Sequence, residues 1–210
     1  MQPGLIQPVV LRNGGAVDDP LAVALGFAEA GYAYDLSVVS PPARFGEPDL
    51  RLANRGGARI SAAQISAILE RRRAIERALR AIAPDASLAG SAVPWLPLEQ
   101  LFTQFADLHG VGFAKMTKAL HKKRPALIPM LDSVVQRYLV EDDLGKRASF
   151  GERAVAFVRG YKRDLDRNRA AVRAVQRELA KRGHVLSEVR ILDAVIWSAA
   201  VDFSHPRSSS

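Results

Sequence analysis

Cysteine is absent from all 210 residues of the chain. Its absence excludes disulfide bonds, thiolate-coordinated zinc and a thiol nucleophile. No apolar run approaches the length of a membrane span, and the N-terminus lacks the features of a secretory signal. Segments with the two-residue alternation that is typical of half-buried strands are also missing. These absences favour a mostly α-helical, cytoplasmic protein without a membrane segment.

Basic residues are abundant, with 30 lysines and arginines against 22 aspartates and glutamates, and the formal net charge is +8. A surplus of this sign fits a polyanionic partner. Its distribution is informative, because residues 110–124 contain five cations and no acid. Residues 159–182 carry nine basic residues against three acids, and there a solvated helix face is a better explanation than a further contact with such a partner.

Capping signals and helical periodicity predict most of the helices. Asp19-Pro20 predicts a helix start with the aspartate as N-cap and the proline at the first helical position. Ser61 and Gln64 form a capping-box pattern, followed by an apolar stripe of helical period up to Pro84. Further helices are expected over residues 98–108, 113–122, 133–140, 149–160, 164–182 and 187–202.

The most informative segment begins with the glycine hairpin, Gly110-Val111-Gly112, and ends at Asp132. Glycine tolerates a tight turn and the close approach of a ligand, so such a hairpin can present backbone N–H groups to a phosphate. Asp132 follows the second glycine by 132 − 112 = 20 residues. This spacing can place a carboxylate beside whatever the hairpin holds. Asp132 is also a good N-cap for the helix that follows it.

The residues LHGVG are followed by DSVVQR, which begins 20 residues after the second glycine. Together, the two stretches resemble the helix-hairpin-helix DNA glycosylase superfamily of base-excision repair. That superfamily has a Gly-φ-Gly hairpin and, about twenty residues later, an aspartate in a D-x-x-[IV]-x-R-like context. The resemblance covers roughly residues 98–140. The stretch KRPALIPMLDSVV also looks like a bacterial family of unknown function, over much of the chain. The matching positions of the glycosylase pattern are Gly110, Gly112, Asp132, Val135 and Arg137.

The resemblance implies a helical bundle containing a helix-hairpin-helix motif and a monofunctional DNA glycosylase. Such an enzyme hydrolyses the N-glycosidic bond of a damaged or modified base that is flipped out of the duplex. By resemblance, Asp132 is the catalytic residue, because a carboxylate stabilises positive charge on the sugar and orients a water. Bifunctional members carry a lysine where this chain has Ala114, so we expect no lyase reaction. Without cysteine, the iron–sulfur cluster of some members is excluded, and we expect no cofactor and no metal.

The predicted partner is DNA, contacted through its phosphate backbone and a flipped base. The expected DNA-binding residues comprise the hairpin and the basic helix behind it: His109, Gly110, Val111, Gly112, Lys115, Lys118, Lys122, Lys123 and Arg124. On the same helix, His121 is expected on the solvated side.

Three regions of one globular unit are expected. Residues 1–97 form a helical and loop region that packs on the core, residues 98–140 carry the hairpin and Asp132, and residues 141–207 supply the C-terminal helices. Two alternatives to the enzyme stay open at this point. One is a non-catalytic helix-hairpin-helix DNA-binding module, and the other is a helical interaction protein whose hairpin only turns the chain.

Overall fold

The structure is a computed structural model and describes residues 6–30, 33–37 and 40–204. The prediction of a mostly α-helical protein is confirmed. The α-helices are α1 Pro20–Glu29, α2 Ala33–Leu36, α3 Glu47–Arg55, α4 Ala62–Glu70, α5 Arg72–Arg80, α6 Trp95–Thr103, α7 Phe113–His121, α8 Ser133–Tyr138, α9 Phe150–Arg167, α10 Arg169–Lys181 and α11 Glu188–Ser204. A 3-10 turn spans Val140–Asp142, and two short strands, β1 Val9–Val10 and β2 Ala16–Val17, pair antiparallel. In the described part of the chain, none of the helices could cross a membrane.

Two of the predicted helix starts, those of α1 and α4, are confirmed with their capping contacts. Asp19 accepts a hydrogen bond from the backbone N–H of Ala22, and Pro20 occupies the first turn of α1. Ser61 Oγ accepts from the N–H of Gln64 at 3.3 Å, and Gln64 Oε1 accepts from the N–H of Ser61 at 3.1 Å. Each contact satisfies an N–H group that the first turn of a helix cannot pair internally.

The single helix expected up to Pro84 is wrong, because the chain is interrupted at Arg71 and forms α4 and α5 instead. The guanidinium of Arg71 donates to the carbonyl oxygens of Gln104 at 3.1 Å and Ala106 at 2.6 Å. Those carbonyls follow the end of α6, where a helix has no N–H groups left to pair with them. This long-range contact accompanies a break that the continuous apolar stripe does not reveal.

The glycine hairpin packs on the apolar core, to which most of the helices contribute. Helix α6 packs against α5 and α9, and α7 packs against α3. Between the exposed Gly110 and Gly112, the side chain of Val111 is buried in this core. The valine therefore anchors the turn while the backbone of both glycines faces outward.

Candidate nucleic-acid interface

The turn that leads into α7 presents backbone N–H groups at the protein surface. Gly110 has a φ of +69°, in the left-handed region that favours glycine, and Gly112 is the extended N-cap of α7. No side chain caps this helix, and its first turn contains no acidic residue. Because the first N–H groups of a helix lack internal acceptors and carry the positive end of the helix dipole, this end suits an anion.

The two glycines differ in their surroundings. A Cβ atom at Gly110 would collide with the side-chain amide of Gln64, and the left-handed φ would add strain. A Cβ atom at Gly112 would meet nothing within 4 Å. The turn itself therefore requires a glycine at 110, whereas a side chain at 112, next to the start of α7, would extend into open space.

Gln64, in the first turn of α4, forms hydrogen bonds with residues on both sides of the hairpin. Its Nε2 donates to the carbonyl oxygen of His109 at 3.2 Å, and its Oε1 accepts from Lys115 Nζ at 2.7 Å. The sequence pattern predicted the role of Gln64 in capping α4. Its contacts with the hairpin had no local signal, because the two partners lie 45 and 51 residues further along the chain.

Only part of the predicted cation block faces solvent. His109 is exposed beside the hairpin, and Lys115 and Lys118 are half-buried on α7. The amine of Lys122 donates to the backbone carbonyl of Asp35 at 2.8 Å and lies 5.7 Å from the centre of the Tyr34 ring. Lys122 therefore already has partners within the chain.

The expectation of exposed cations at 123 and 124 is corrected, because both side chains are buried. Lys123 pairs with the carboxylate of Asp49 at 2.7 Å. The guanidinium of Arg124 donates to the carbonyl oxygens of Leu79 and Ile82, where α5 ends. A buried cation needs partners of this kind to offset its lost hydration, so these two residues support the fold and do not face a phosphate.

His121 is corrected in the same way, since its side chain is buried and not solvated. Its Nδ1–H donates to the carbonyl oxygen of Ile128 at 2.6 Å, and its ring lies 6.2 Å from the ring of Tyr34. Burial lowers the pKa of His121 to about 4, so the imidazole is neutral at physiological pH.

A second chain segment, which the sequence did not mark, borders α7. Gly57 and Arg59 both have left-handed backbone conformations, with φ of +78° and +54°. A Cβ atom at Gly57 would lie 3.8 Å from Lys118 Nζ. Burial lowers the pKa of Lys118, the charges of Arg190 and Arg59 lower it further, and the charge of Asp132 opposes them. The amine of Lys118 and the exposed Arg59 therefore lie near one another.

Asp132 caps α8 and is held by three donors. Its Oδ1 accepts from the N–H groups of Val134 at 3.0 Å and Val135 at 3.1 Å, as the helix start predicts. Its Oδ2 accepts from Trp197 Nε1 at 2.9 Å. Asp132 is only 8% exposed, whereas Trp197 is 43% exposed. The carboxylate is thus fixed and nearly covered, with an accessible indole beside it.

A second carboxylate, Asp193, is buried near Asp132. Its Oδ1 lies 3.0 Å from the hydroxyl oxygen of Tyr161, and its Oδ2 lies 3.8 Å from a guanidinium nitrogen of Arg190, without a hydrogen bond. Arg190 is engaged by Asp35, whose two carboxylate oxygens it contacts at 3.1 and 2.7 Å. Burial raises the pKa of Asp193 from its ordinary 3.8 to about 7, although Arg190 opposes the change.

A pocket in the described part of the chain lies next to α8 but is not lined by Asp132. It has a volume of about 330 Å³ and is lined by residues of the N-terminal segment, α8 and α11, including Arg12, Tyr138 and Ile196. Asp132 does not contribute to this lining. The carboxylate of Asp132 is therefore nearly covered and lies outside the lining of this pocket.

We expect the buried Asp193 to make stability fall as pH rises. Its pKa is higher in the folded than in the unfolded chain, so its favourable contribution is complete below about pH 4 and is lost as the pH rises to about 7. Asp193→Asn keeps the shape of the neutral carboxyl. The unfolding free energy of this variant, relative to wild type, should rise by more than about 2 kcal/mol between pH 4 and pH 8.

Chemical denaturation of both proteins across this pH range measures the difference. His121 acts in the opposite sense, since its lowered pKa makes stability fall below pH 6.5, but it is present in both proteins and cancels. Parallel curves for variant and wild type would show that Asp193 is not held protonated by the fold.

Comparison with known proteins gives a family for this chain. No curated protein and no solved structure matches it significantly. A family model, described as a family of unknown function (DUF6308), matches residues 42–200, a range that contains the glycine hairpin, Lys118, Asp132 and Trp197. Because this match covers well over half of the 210 residues, the chain belongs to the DUF6308 family of unknown function.

Proposed function

We propose that this protein binds the phosphate backbone of DNA through the glycine hairpin and the start of α7. The observation that carries the proposal is the uncapped N-terminus of α7 at Gly112, with open space where a side chain of residue 112 would lie. A phosphate oxygen in that space would accept hydrogen bonds from N–H groups that have no acceptor within a helix. Contacts of this kind position a protein on DNA without reading its sequence.

The rigidity of the hairpin supports this proposal. Val111 is buried in the core from one side, and Gln64 holds the turn from the other through His109 and Lys115. The N–H groups are thus already oriented before a ligand arrives. A preorganised site loses less conformational entropy on binding than a flexible loop does.

Positive charge around the hairpin supports the choice of a polyanion. Lys115 lies on the first turn of α7, Lys118 follows one turn later, and Arg59 is exposed on the adjoining segment. Together with the net charge of +8, these cations favour a partner with many phosphates over a single small anion. The glycine hairpin, with an aspartate twenty residues later, resembles helix-hairpin-helix proteins. This resemblance implies that the partner is DNA.

Gly112→Ala tests the proposal without disturbing the fold. The new methyl group meets no protein atom, and the φ of −92° suits alanine, so the unfolding free energy should fall by less than about 1 kcal/mol. The methyl group would occupy the space of the phosphate. We expect the affinity for duplex DNA, measured by fluorescence anisotropy in low salt, to fall by at least about tenfold.

Gly26→Ala is the matched control, because Gly26 lies exposed on α1 and a Cβ atom there also meets nothing. This variant should bind DNA as wild type does. Equal affinities for wild type, Gly112→Ala and Gly26→Ala would remove the hairpin from the binding site. Absence of binding by wild type would refute the proposed function.

A monofunctional DNA glycosylase is the second candidate function. The contact that favours it is the hydrogen bond from Trp197 to Asp132, because the half-exposed indole can stack on an extruded base beside the carboxylate. Oδ2 receives one hydrogen bond and retains a lone pair for a water or a sugar. The low exposure of Asp132 and its absence from the lining of the pocket make this candidate second to DNA binding alone.

Asp132→Asn separates the enzyme from the binding module. Asparagine keeps the helix cap through Oδ1, but its amide nitrogen cannot accept from Trp197 Nε1, so the unfolding free energy should fall by about 1–3 kcal/mol. If the second candidate is right, mass spectrometry should detect a free base released from alkylated, oxidised or deaminated DNA by wild type and none released by the variant. DNA affinity should be unchanged within about twofold, because the carboxylate is mostly buried. If neither protein releases a base but both still bind DNA, the glycosylase is rejected and the DNA-binding module is supported.

A further inference from the structure

Three arginines form a row on the exposed face of α5. Arg73, Arg77 and Arg80 follow one another at the helical spacing i, i+4 and i+7, which places them on one side of the helix over about 10 Å of its axis. All three side chains are exposed, and we call them the arginine row. Among the described residues, none of their guanidinium groups has a hydrogen-bond acceptor or an ion-pair partner.

The acidic residues of α4 and α5 do not neutralise the arginine row. Glu76, the acid of α5, is buried and accepts from Arg72 Nε at 3.1 Å and from the backbone N–H of Phe45 at 3.0 Å. Glu70, at the end of α4, is exposed and forms no ion pair with the row within the described chain. Because like charges four residues apart on a helix repel each other, an anion bound at the row would relieve this repulsion.

The cations of α9 and α10 differ from the arginine row, because most of them already have acidic partners. The pairs are Arg153–Asp143, Lys162–Asp166, Arg163–Asp142, Arg167–Asp164, Arg169–Asp166, Arg173–Glu188 and Lys181–Glu178. A phosphate that binds a paired cation must displace a carboxylate, whereas a phosphate at the row displaces water and counterions only. The row is therefore the better contact for a polyanion, although the other two helices carry more cations.

Phosphate is the anion that the side chains of the arginine row suit. A guanidinium group is planar and can donate two parallel hydrogen bonds to phosphate oxygens. A lipid bilayer is a poorer partner, because a helix at a membrane surface inserts its apolar side among the lipids. The apolar side of α5 is not available for this, since Ile75 and Leu79 are fully buried in the core. A phosphate polymer in solution therefore fits the row better than a membrane.

The start of α5 is joined to the segment that leads into the glycine hairpin. Arg73 follows Arg71 by two residues, and the guanidinium of Arg71 donates to the carbonyl oxygens of Gln104 and Ala106, shortly before Gly110. The row and the hairpin are thus anchored to the same stretch of chain. A duplex repeats its phosphates about every 3.4 Å along each strand, so it offers charge to cationic surfaces beyond the hairpin.

We propose that the arginine row is a second, electrostatic contact for the phosphate backbone of DNA, separate from the glycine hairpin. This inference rests on the proposed function and assigns to α5 a part of the interface that the hairpin does not supply. The two contacts differ in kind. The hairpin offers uncharged backbone N–H groups at a helix start, whereas the row offers three full positive charges. The salt dependence of DNA binding therefore comes largely from the row.

Replacing the whole row with glutamine, as Arg73→Gln, Arg77→Gln and Arg80→Gln together, tests this proposal. Glutamine favours a helix about as much as arginine does, and the positions are exposed, so the denaturation midpoint should match that of wild type. Fluorescence anisotropy measures the association constant for a duplex at several salt concentrations. Each phosphate contact contributes about 0.9 to the slope of log K against log[salt], so the slope should become shallower by about 2 to 3. The affinity at low salt should fall by at least about tenfold.

The matched control removes the same charge from paired cations, as Arg163→Gln, Arg169→Gln and Lys181→Gln together. Each of these side chains contacts an acid, so its loss removes no free positive charge, and the slope should stay within about 1 of wild type. Gly112→Ala leaves the row intact. This variant should lower the affinity while its slope also stays within about 1 of wild type.

The outcomes separate the row from the hairpin. A shallower slope for the row variant alone supports the proposal. An unchanged slope for the row variant, or an equal change in the paired-cation variant, overturns the role of the row and leaves the hairpin to be judged by Gly112→Ala. A row variant that binds the duplex as wild type does, but no longer binds phosphatidylserine vesicles, would assign the row to a membrane and overturn the proposal. Absence of duplex binding by wild type refutes the proposed function and, with it, this inference.

Discussion

The proposed interface depends on the packing of the Val111 side chain in the apolar core. A turn between two helices is ordinarily a mobile part of a protein, and its N–H groups then point in many directions. Here the valine is held in the apolar core while the glycines on either side stay exposed. This arrangement gives a fixed backbone surface at the start of α7. Gln64 donates to the carbonyl oxygen of His109 and accepts from Lys115, and these two hydrogen bonds join the same surface to α4.

Burial also sorts the positive charges of the chain into two groups. Lys123 pairs with a carboxylate, Arg124 donates to the carbonyl groups at the end of a helix, and both lie inside the protein. Lys115, Lys118 and Arg59 remain on the side of the hairpin. The net charge of +8 therefore overstates what a polyanion meets at this site. The proposed interface depends on a few placed cations and on backbone N–H groups more than on total charge.

Capping residues in the sequence predicted the starts of the helices that they cap. The caps at Asp19, Ser61 and Asp132 depend on residues two or three positions away, and each is present in the structure. The interactions that shape the candidate site span the chain and had no such signal. Trp197 and Asp132 are 65 residues apart, and Gln64 and Lys115 are 51 apart. Which cations of a basic stretch become buried depends on tertiary packing, so sequence periodicity alone did not separate Lys123 from Lys118.

The central claim is that DNA meets the protein at the start of α7. A two-dimensional ¹H–¹⁵N NMR titration of the full chain with a short duplex tests it residue by residue. We expect the largest shifts at the backbone amides of Gly110, Gly112 and Lys115, with smaller shifts along residues 57–59. Shifts confined to the basic surface of α9 and α10, with the hairpin amides unchanged, would contradict the proposed interface.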